Sequence, residues 1–199
     1  NSALQVVRDM DFPLVVKPID GVGSEGVFQI NELCDLPSIL ANVRRSTSHE
    51  QILLQSFAGG IPASVSLLVA NGRCLPLSLN RQLMEGNTPF HYAGSQVPFF
   101  HHAAGYAMEL ASDAAKQITG LKGYVGVDLI LSDEKARLIE INPRLTTSYI
   151  GLRQVAQVNL AQTIWEACMN GILPDRVSLT GQVIITKDDP GSWNLKLVT

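Results

Sequence analysis

Tyr124-Val125-Gly126-Val127-Asp128-Leu129-Ile130-Leu131, a polar tip at 132–135, and Ala136-Arg137-Leu138-Ile139-Glu140-Ile141-Asn142 read together as one β-hairpin. Aliphatic and β-branched residues dominate both arms, and the tip is turn sequence. Symmetry about the tip pairs Leu131 with Arg137 and therefore Asp128 with Glu140. Residues opposed across an antiparallel pair point to the same face. Period-two alternation then sorts the arms. Val125, Val127, Leu129, Leu131, Ile139 and Ile141 make a core face, and Gly126, Asp128, Glu140 and Asn142 make a polar one. Two facing carboxylates repel, and each resists ionisation unless a cation stands between them. Hard oxygen donors of this kind suit magnesium or manganese, which in turn bridges nucleotide phosphates. On these residues alone, a polar sheet face with two unrelated acids stays open.

A second pattern lies near the start. Residues 12–18 form a short apolar run that ends in Lys17-Pro18, followed by Gly21-Val22-Gly23-Ser24-Glu25-Gly26 and renewed strand character at 27–30. Glycines let backbone amides approach phosphate oxygens, and a lysine at a strand end supplies a point charge for them. No Gly-Lys-Ser/Thr follows, and a strand rather than a helix comes next, so neither a Walker loop nor a dinucleotide-binding fingerprint is present. A plain glycine-rich turn is the alternative.

Around these two landmarks the chain sorts into elements. Asn31 is placed to cap a helix over 32–45, and 51–57 reads as a strand closed by Gly59-Gly60. Asn71-Gly72 between 63–70 and 73–79 is a strong hairpin signal. Residues 81–100 read as a long irregular segment, 104–119 and 158–170 as helices, and 182–186 as a last strand. The expected organisation is a small α+β lobe over 1–60, with a hinge at 59–62, and a larger lobe over 61–199.

Composition narrows the class. The 199 residues are 46% hydrophobic and 17% charged, which suits a packed core and excludes a disordered chain. The net charge of -3 offers no basic excess for a phosphate backbone, so no nucleic acid partner is expected. No run reaches membrane-spanning length, so no membrane association is expected either. Three widely spaced cysteines, Cys34, Cys74 and Cys168, form neither a disulfide framework nor a zinc pattern and are expected as buried or half-buried thiols in a reducing compartment. The chain opens on Asn1, without methionine, and reads as a piece of a longer cytoplasmic protein.

Taken together, residues 12–18, the glycine loop, Leu53-Leu54-Gln55-Ser56-Phe57-Ala58-Gly59-Gly60, Gly126-Val127-Asp128-Leu129-Ile130 and Ile139-Glu140-Ile141-Asn142-Pro143-Arg144 resemble the ATP-grasp superfamily in order and spacing. The resemblance covers 12 to about 170. It implies an α+β ATP-grasp fold of two lobes with antiparallel sheets and ATP in the cleft between them, the family's N-terminal domain having no counterpart here. It implies that Lys17 binds the α- and β-phosphates and that Gly21, Gly23, Ser24 and Gly26 close over the triphosphate. Gln55, Ser56, Phe57 and Ala58 would form the interlobe hinge, with backbone groups of Ser56 and Phe57 reading the adenine edge. Asp128, Glu140 and Asn142 would hold Mg2+ or Mn2+. Arg144 would steady the transferred phosphate, and Arg81 would stand near the γ-phosphate. Family hinges often carry an acid where Ser56 stands, and a ribose-binding acid near Ser64; neither is present.

Within the superfamily, residues 60–66, 78–82 and 142–149 look most like the tyramine–glutamate ligase group of methanofuran biosynthesis. The implied reaction is ATP-dependent ligation of a small-molecule carboxylate to an amine through an acyl phosphate, and formation of a homodimer stays open. A regulatory ATP-binding module of the same fold, and a biotin-carboxylase-like or purine-pathway enzyme, are the rival readings. Other residues invite two readings each. His101-His102 are ligands or a solvated pair opening a helix. His91 and Tyr92 touch substrate or pack the loop. Thr146, Thr147 and Ser148 contact the acceptor or cap a helix, and Trp165 is expected in the core.

Overall fold

The computed structural model describes residues 6–7, 9–86, 88–133, 135–187 and 192–198. The chain divides into two compact units, Asn1–Ala58 with Met84–Tyr92 and Gly59–Leu83 with Ala93–Thr199. In the first, β1 (Leu14–Pro18) alternates buried and half-buried residues between β2 (Phe28–Ile30) and β3 (Ile52–Ser56), both antiparallel to it. Leu14, Val16, Phe28 and Ile30 pack under Leu36, Ile39 and Val43 of helix α1 (Leu36–Arg45). Lys17, paired with Leu53, therefore lies on the outer face of this sheet with Val15 and Gln55.

Sequence reading placed residues 84–92 in the larger lobe. In the structure they belong to the first unit, where Phe90 N–H donates to the Val27 carbonyl and the Phe90 ring stacks on Phe57 at 6.5 Å.

The second unit is built on a seven-stranded antiparallel sheet in the order β10-β9-β6-β5-β4-β7-β8. The strands are β4 (Ile61–Ala70), β5 (Arg73–Glu85), β6 (His91–Val97), β7 (Gly123–Leu131), β8 (Ala136–Asn142), β9 (Gln182–Lys187) and β10 (Trp193–Val198). One face buries Ala63, Val65, Leu67, Leu79, Val125, Val127 and Leu129 against Ala107, Ala111 and Ala115 of α2 (Ala104–Lys116). The opposite face is apolar only in part. There Leu68, Val97, Val183 and Ile185 pack under α3 (Ser148–Val155) and α4 (Leu160–Met169). No helix among the described residues is long and apolar enough to cross a membrane.

Several expectations are corrected. The stretch 81–100 is not irregular: β5 runs on to Glu85 and β6 covers His91–Val97. The signal is masked because polar Asn80, at which the sequence reading ends the β5 strand, and Ser95 in β6 fill buried positions where hydrophobic residues were sought. Asn31 does not cap a helix. A 3-10 turn, Leu33–Asp35, intervenes, and Asp35 precedes α1. Trp165 is 61% exposed rather than core, because α4 turns Leu160, Ile164 and Ala167 to the sheet instead. Cys34 is exposed, whereas Cys74 and Cys168 are half-buried.

The alanines of α2 recur every four residues and are fully buried, which sets how closely the helix approaches the sheet. Ala111→Leu is expected to cost about 1–3 kcal/mol by overpacking. Thermal denaturation should show a midpoint lowered by roughly 2–12 °C.

Candidate functional site

β7 and β8 bring the acids together by a route that symmetry does not predict. Leu131 pairs with Ala136, not Arg137, and Leu129 pairs with Leu138. A bulge between Asp128 and Leu129 then takes up Ile139, so that Asp128 meets Glu140 and Gly126 meets Asn142. Opposed residues on one face stand about 5 Å apart at Cβ. Leu138, opposite core-facing Leu129, is nevertheless 43% exposed on the edge strand β8, and the bulged Ile139 is half-buried.

The polar face continues across the sheet. Asp128 pairs on its other side with Ser64, and Ser64 with Asn80. One residue pair further along, Gly126 pairs with Ser66 and Ser66 with Ser78. Buried polar groups must find partners. Asn80 Nδ2 donates to Ser66 Oγ (3.0 Å), Ser78 Oγ donates to Asn80 Oδ1 (2.7 Å), and Ser66 Oγ bonds Tyr124 Oη (2.8 Å). Among the described residues, Ser95 Oγ is the buried side-chain polar atom that has no partner.

This network holds the segment after β8. Tyr124 Oη bonds Thr146 Oγ1 at 3.2 Å, and Ser148 Oγ reaches Ser64 Oγ at 3.4 Å. Thr146 and Ser148 thus lash the start of α3 to the sheet, and Thr147, at its N-cap, makes no side-chain cap. Gly126 is required by that contact. A Cβ there would stand 2.4 Å from Thr146 Cγ2. An acid at position 64 would stand opposite Asp128 and add a third negative charge, which Ser64 avoids.

At the acids, Asp128 Oδ1 accepts from Gln82 Nε2 (2.9 Å) and Oδ2 from Asn142 Nδ2 (3.2 Å). Arg144 Nη2 donates to Asn142 Oδ1 (3.2 Å), so the guanidinium joins the cluster through the carboxamide. Burial first, and then Glu140 opposite, push the Asp128 carboxyl up to about 6, against the bonds from Asn142 and Gln82 and the charge of Arg144. Two oxygen acids facing across a ladder, one of them resisting ionisation, fit a hard divalent cation. Asp128, Glu140 and Asn142 are the residues that would hold it.

Arg81 is the sequence-selected residue that does not join them. It pairs with Ala63 and so shares the α2 face, beside Phe99, whose ring centroid is 5.8 Å from the guanidinium carbon. Its neighbour Gln82 faces the acids instead. His101 and His102 stack on each other at 4.2 Å ahead of α2. Among the described residues, no group of three His, Cys, Asp or Glu side chains could hold a metal. His91 is exposed at the start of β6, and Tyr92 is half-buried.

In the first unit, the glycine loop is two successive tight turns. Glu25 N–H donates to Val22 O and Val27 N–H to Ser24 O, with Gly23, Ser24 and Gly26 all at positive φ. Gly21 and Gly23 are exposed, whereas Gly26 is buried, and a Cβ there would fall within 2.9 Å of Ser46 and Pro18. Gly26 is therefore a packing glycine. Gln55 and Ser56 end β3, and Phe57 N–H donates to the Pro13 carbonyl.

The model of the ATP-grasp domain matches residues 3–148. The chain belongs to the ATP-grasp family. It is 38% identical over 139 residues to the tyramine–L-glutamate ligase of Methanocaldococcus fervens, which covers 70% of this chain and 40% of that protein. It is 41% identical over 104 residues to the tyramine–L-glutamate ligase of Methanocaldococcus jannaschii, covering 52% and 32%. The chain thus spans well under half the length of these curated relatives. The biotin carboxylase of Campylobacter jejuni, solved as a β-γ-ATP complex, superposes with a TM-score of 0.78 over 94% of this chain and 44% of its own, at 16% identity. That likeness establishes the fold, and the resemblance read from sequence is borne out.

Two outcomes follow for this ATP-grasp chain. A carboxyl raised in the folded state stabilises the fold while protonated and ceases to as pH rises through its folded value. Metal-free protein should therefore lose stability between about pH 4 and 7 through Asp128, by up to about 3 kcal/mol. Urea titrations at each pH should show this component absent in Asp128→Asn. Gly126→Ala should destabilise the fold by about 1–3 kcal/mol by displacing Thr146, read as a lowered urea midpoint. Adding Thr146→Ser, which removes the colliding methyl and keeps the hydroxyl, should restore most of that stability.

Proposed function

We propose that this chain is the catalytic core of an ATP-dependent carboxylate–amine ligase that works through an acyl phosphate, with glutamate as the acid and an amine such as tyramine as acceptor. The observation that carries the reading is the pairing of Asp128 with Glu140, tied through Asn142 to Arg144, in a chain 38% and 41% identical to two tyramine–L-glutamate ligases. That relationship supports an amine acceptor and a role in methanofuran biosynthesis.

Direct attack of an amine on a carboxylate fails because oxide is a poor leaving group. In the proposed reaction a carboxylate oxygen attacks the γ-phosphorus of ATP and ADP departs. The amine nitrogen then attacks the carbonyl carbon of the acyl phosphate, inorganic phosphate leaves, and the nitrogen loses a proton. Phosphoryl transfer asks a protein for positioning and charge neutralisation rather than for a nucleophile. Lys17 and the turn amides of 21–26 bind the triphosphate, and Gln55, Ser56 and Phe57 bind the adenine. Asp128, Glu140 and Asn142 hold Mg2+ or Mn2+, which when bound neutralises phosphate charge. Arg144, fixed by its bonds to Asn142 and to the Leu145 carbonyl, binds the transferred phosphoryl group.

With the full-length protein, glutamate and tyramine should release ADP and phosphate in a magnesium-dependent manner and form a γ-glutamyl amide visible by mass spectrometry. Arg144→Ala should lower kcat by about 10²–10³-fold, and Glu140→Ala should abolish turnover. ADP release driven by bicarbonate without an amine would instead support a carboxylase. ATP binding without hydrolysis would support a regulatory module.

A further inference from the structure

Gln82 comes from β5, yet the group it holds belongs to β7. The sheet order is β5-β4-β7, so the side chain crosses one whole strand to reach Asp128, a span of about 10 Å between strand axes. The bridge runs diagonally past a small residue: Ser64 of β4 pairs with Asp128 and with Asn80, two residues before Gln82. A glutamine is long enough for this bridge, and its Nε2 arrives at 2.9 Å from Asp128 Oδ1. Asn142 Nδ2 takes the other oxygen at 3.2 Å. One donor on each oxygen stops the carboxylate plane from rotating, while a carboxylate has about four acceptor positions, so lone pairs remain for a cation. Both donors are neutral amides. They orient the acid without cancelling its charge, as a lysine or arginine at position 82 would.

We propose that Gln82 is a positioning residue for the cation site, an amide strut across the sheet that fixes the Asp128 carboxylate toward Glu140. The inference rests on the metal assignment made above and extends it to a third strand. Partners that orient a metal ligand commonly contribute 10–100-fold to metal affinity.

The test is Mn2+ binding to the full-length protein in the presence of ADP, followed by electron paramagnetic resonance of free Mn2+ and without turnover. Gln82→Met keeps the length and removes the donor, and should weaken Mn2+ binding about 10–100-fold. Gln82→Asn keeps an amide but falls one methylene short, and should show a loss of the same order; it also serves should the methionine variant not fold. In an Asp128→Asn background the Gln82 substitution should cost nothing further, because the carboxylate it orients is gone. A merely structural glutamine would cost the same in both backgrounds, and that result overturns the proposal. So does Mn2+ affinity within twofold of wild type in both single variants. A wild type that binds no Mn2+ overturns the metal assignment as well. Mn2+ binding that depends on Gln82, in a protein that forms no amide, leaves the strut standing and removes only the ligase reading.

Discussion

Two negative charges held across one rung of a β-ladder are the constraint from which much of this structure follows. Left alone, Asp128 and Glu140 repel, and Asp128 already answers by resisting ionisation. The neighbouring residues are those that tolerate such a pair. Ser64 rather than an acid adjoins it, neutral amides from Gln82 and Asn142 satisfy it, and Arg144 approaches only through the Asn142 carboxamide. A cation from the protein itself, bonded directly to Asp128, would satisfy the acids permanently. Indirect attachment leaves the charge of the acids uncancelled.

Holding the pair in place requires a polar surface inside a packed sheet. Hydrogen bonds in a buried network reinforce one another only when every member is satisfied. Ser66, Ser78, Asn80 and Tyr124 satisfy each other, and the network ends at Thr146, whose methyl group occupies the space over Gly126. The loop bearing Arg144 is thereby anchored at one end by Asn142 in β8 and at the other by Thr146 and Ser148. The same sheet face is apolar under α3 and α4, so packing and chemistry divide one surface by strand and by position.

The glycine loop shows the same division at smaller scale. Exposed Gly21 and Gly23 leave backbone amides accessible, whereas Gly26 lies where Ser46 and Pro18 leave no room for a side chain. Residues drawn from one motif by their type do different physical work.

Sequence alone determined the hairpin and the convergence of Asp128, Glu140 and Asn142 on one face, because alternation is a local property of a strand and the motif order is linear; the symmetric register holds on one side of the bulge only. It also carried the family, through the order and spacing of its segments. Tertiary structure decided what depends on a neighbour distant in the chain. The Ile139 bulge is a shift in the pairing of β7 with β8, and no local symmetry reveals it. Arg81 and Gln82 are adjacent letters with opposite directions, and only the pairing of Ala63 with Arg81 says which of them faces the acids. Buried Asn80 and Ser95 hid the second half of β5 and all of β6, since a polar residue inside a sheet reads as loop in the sequence.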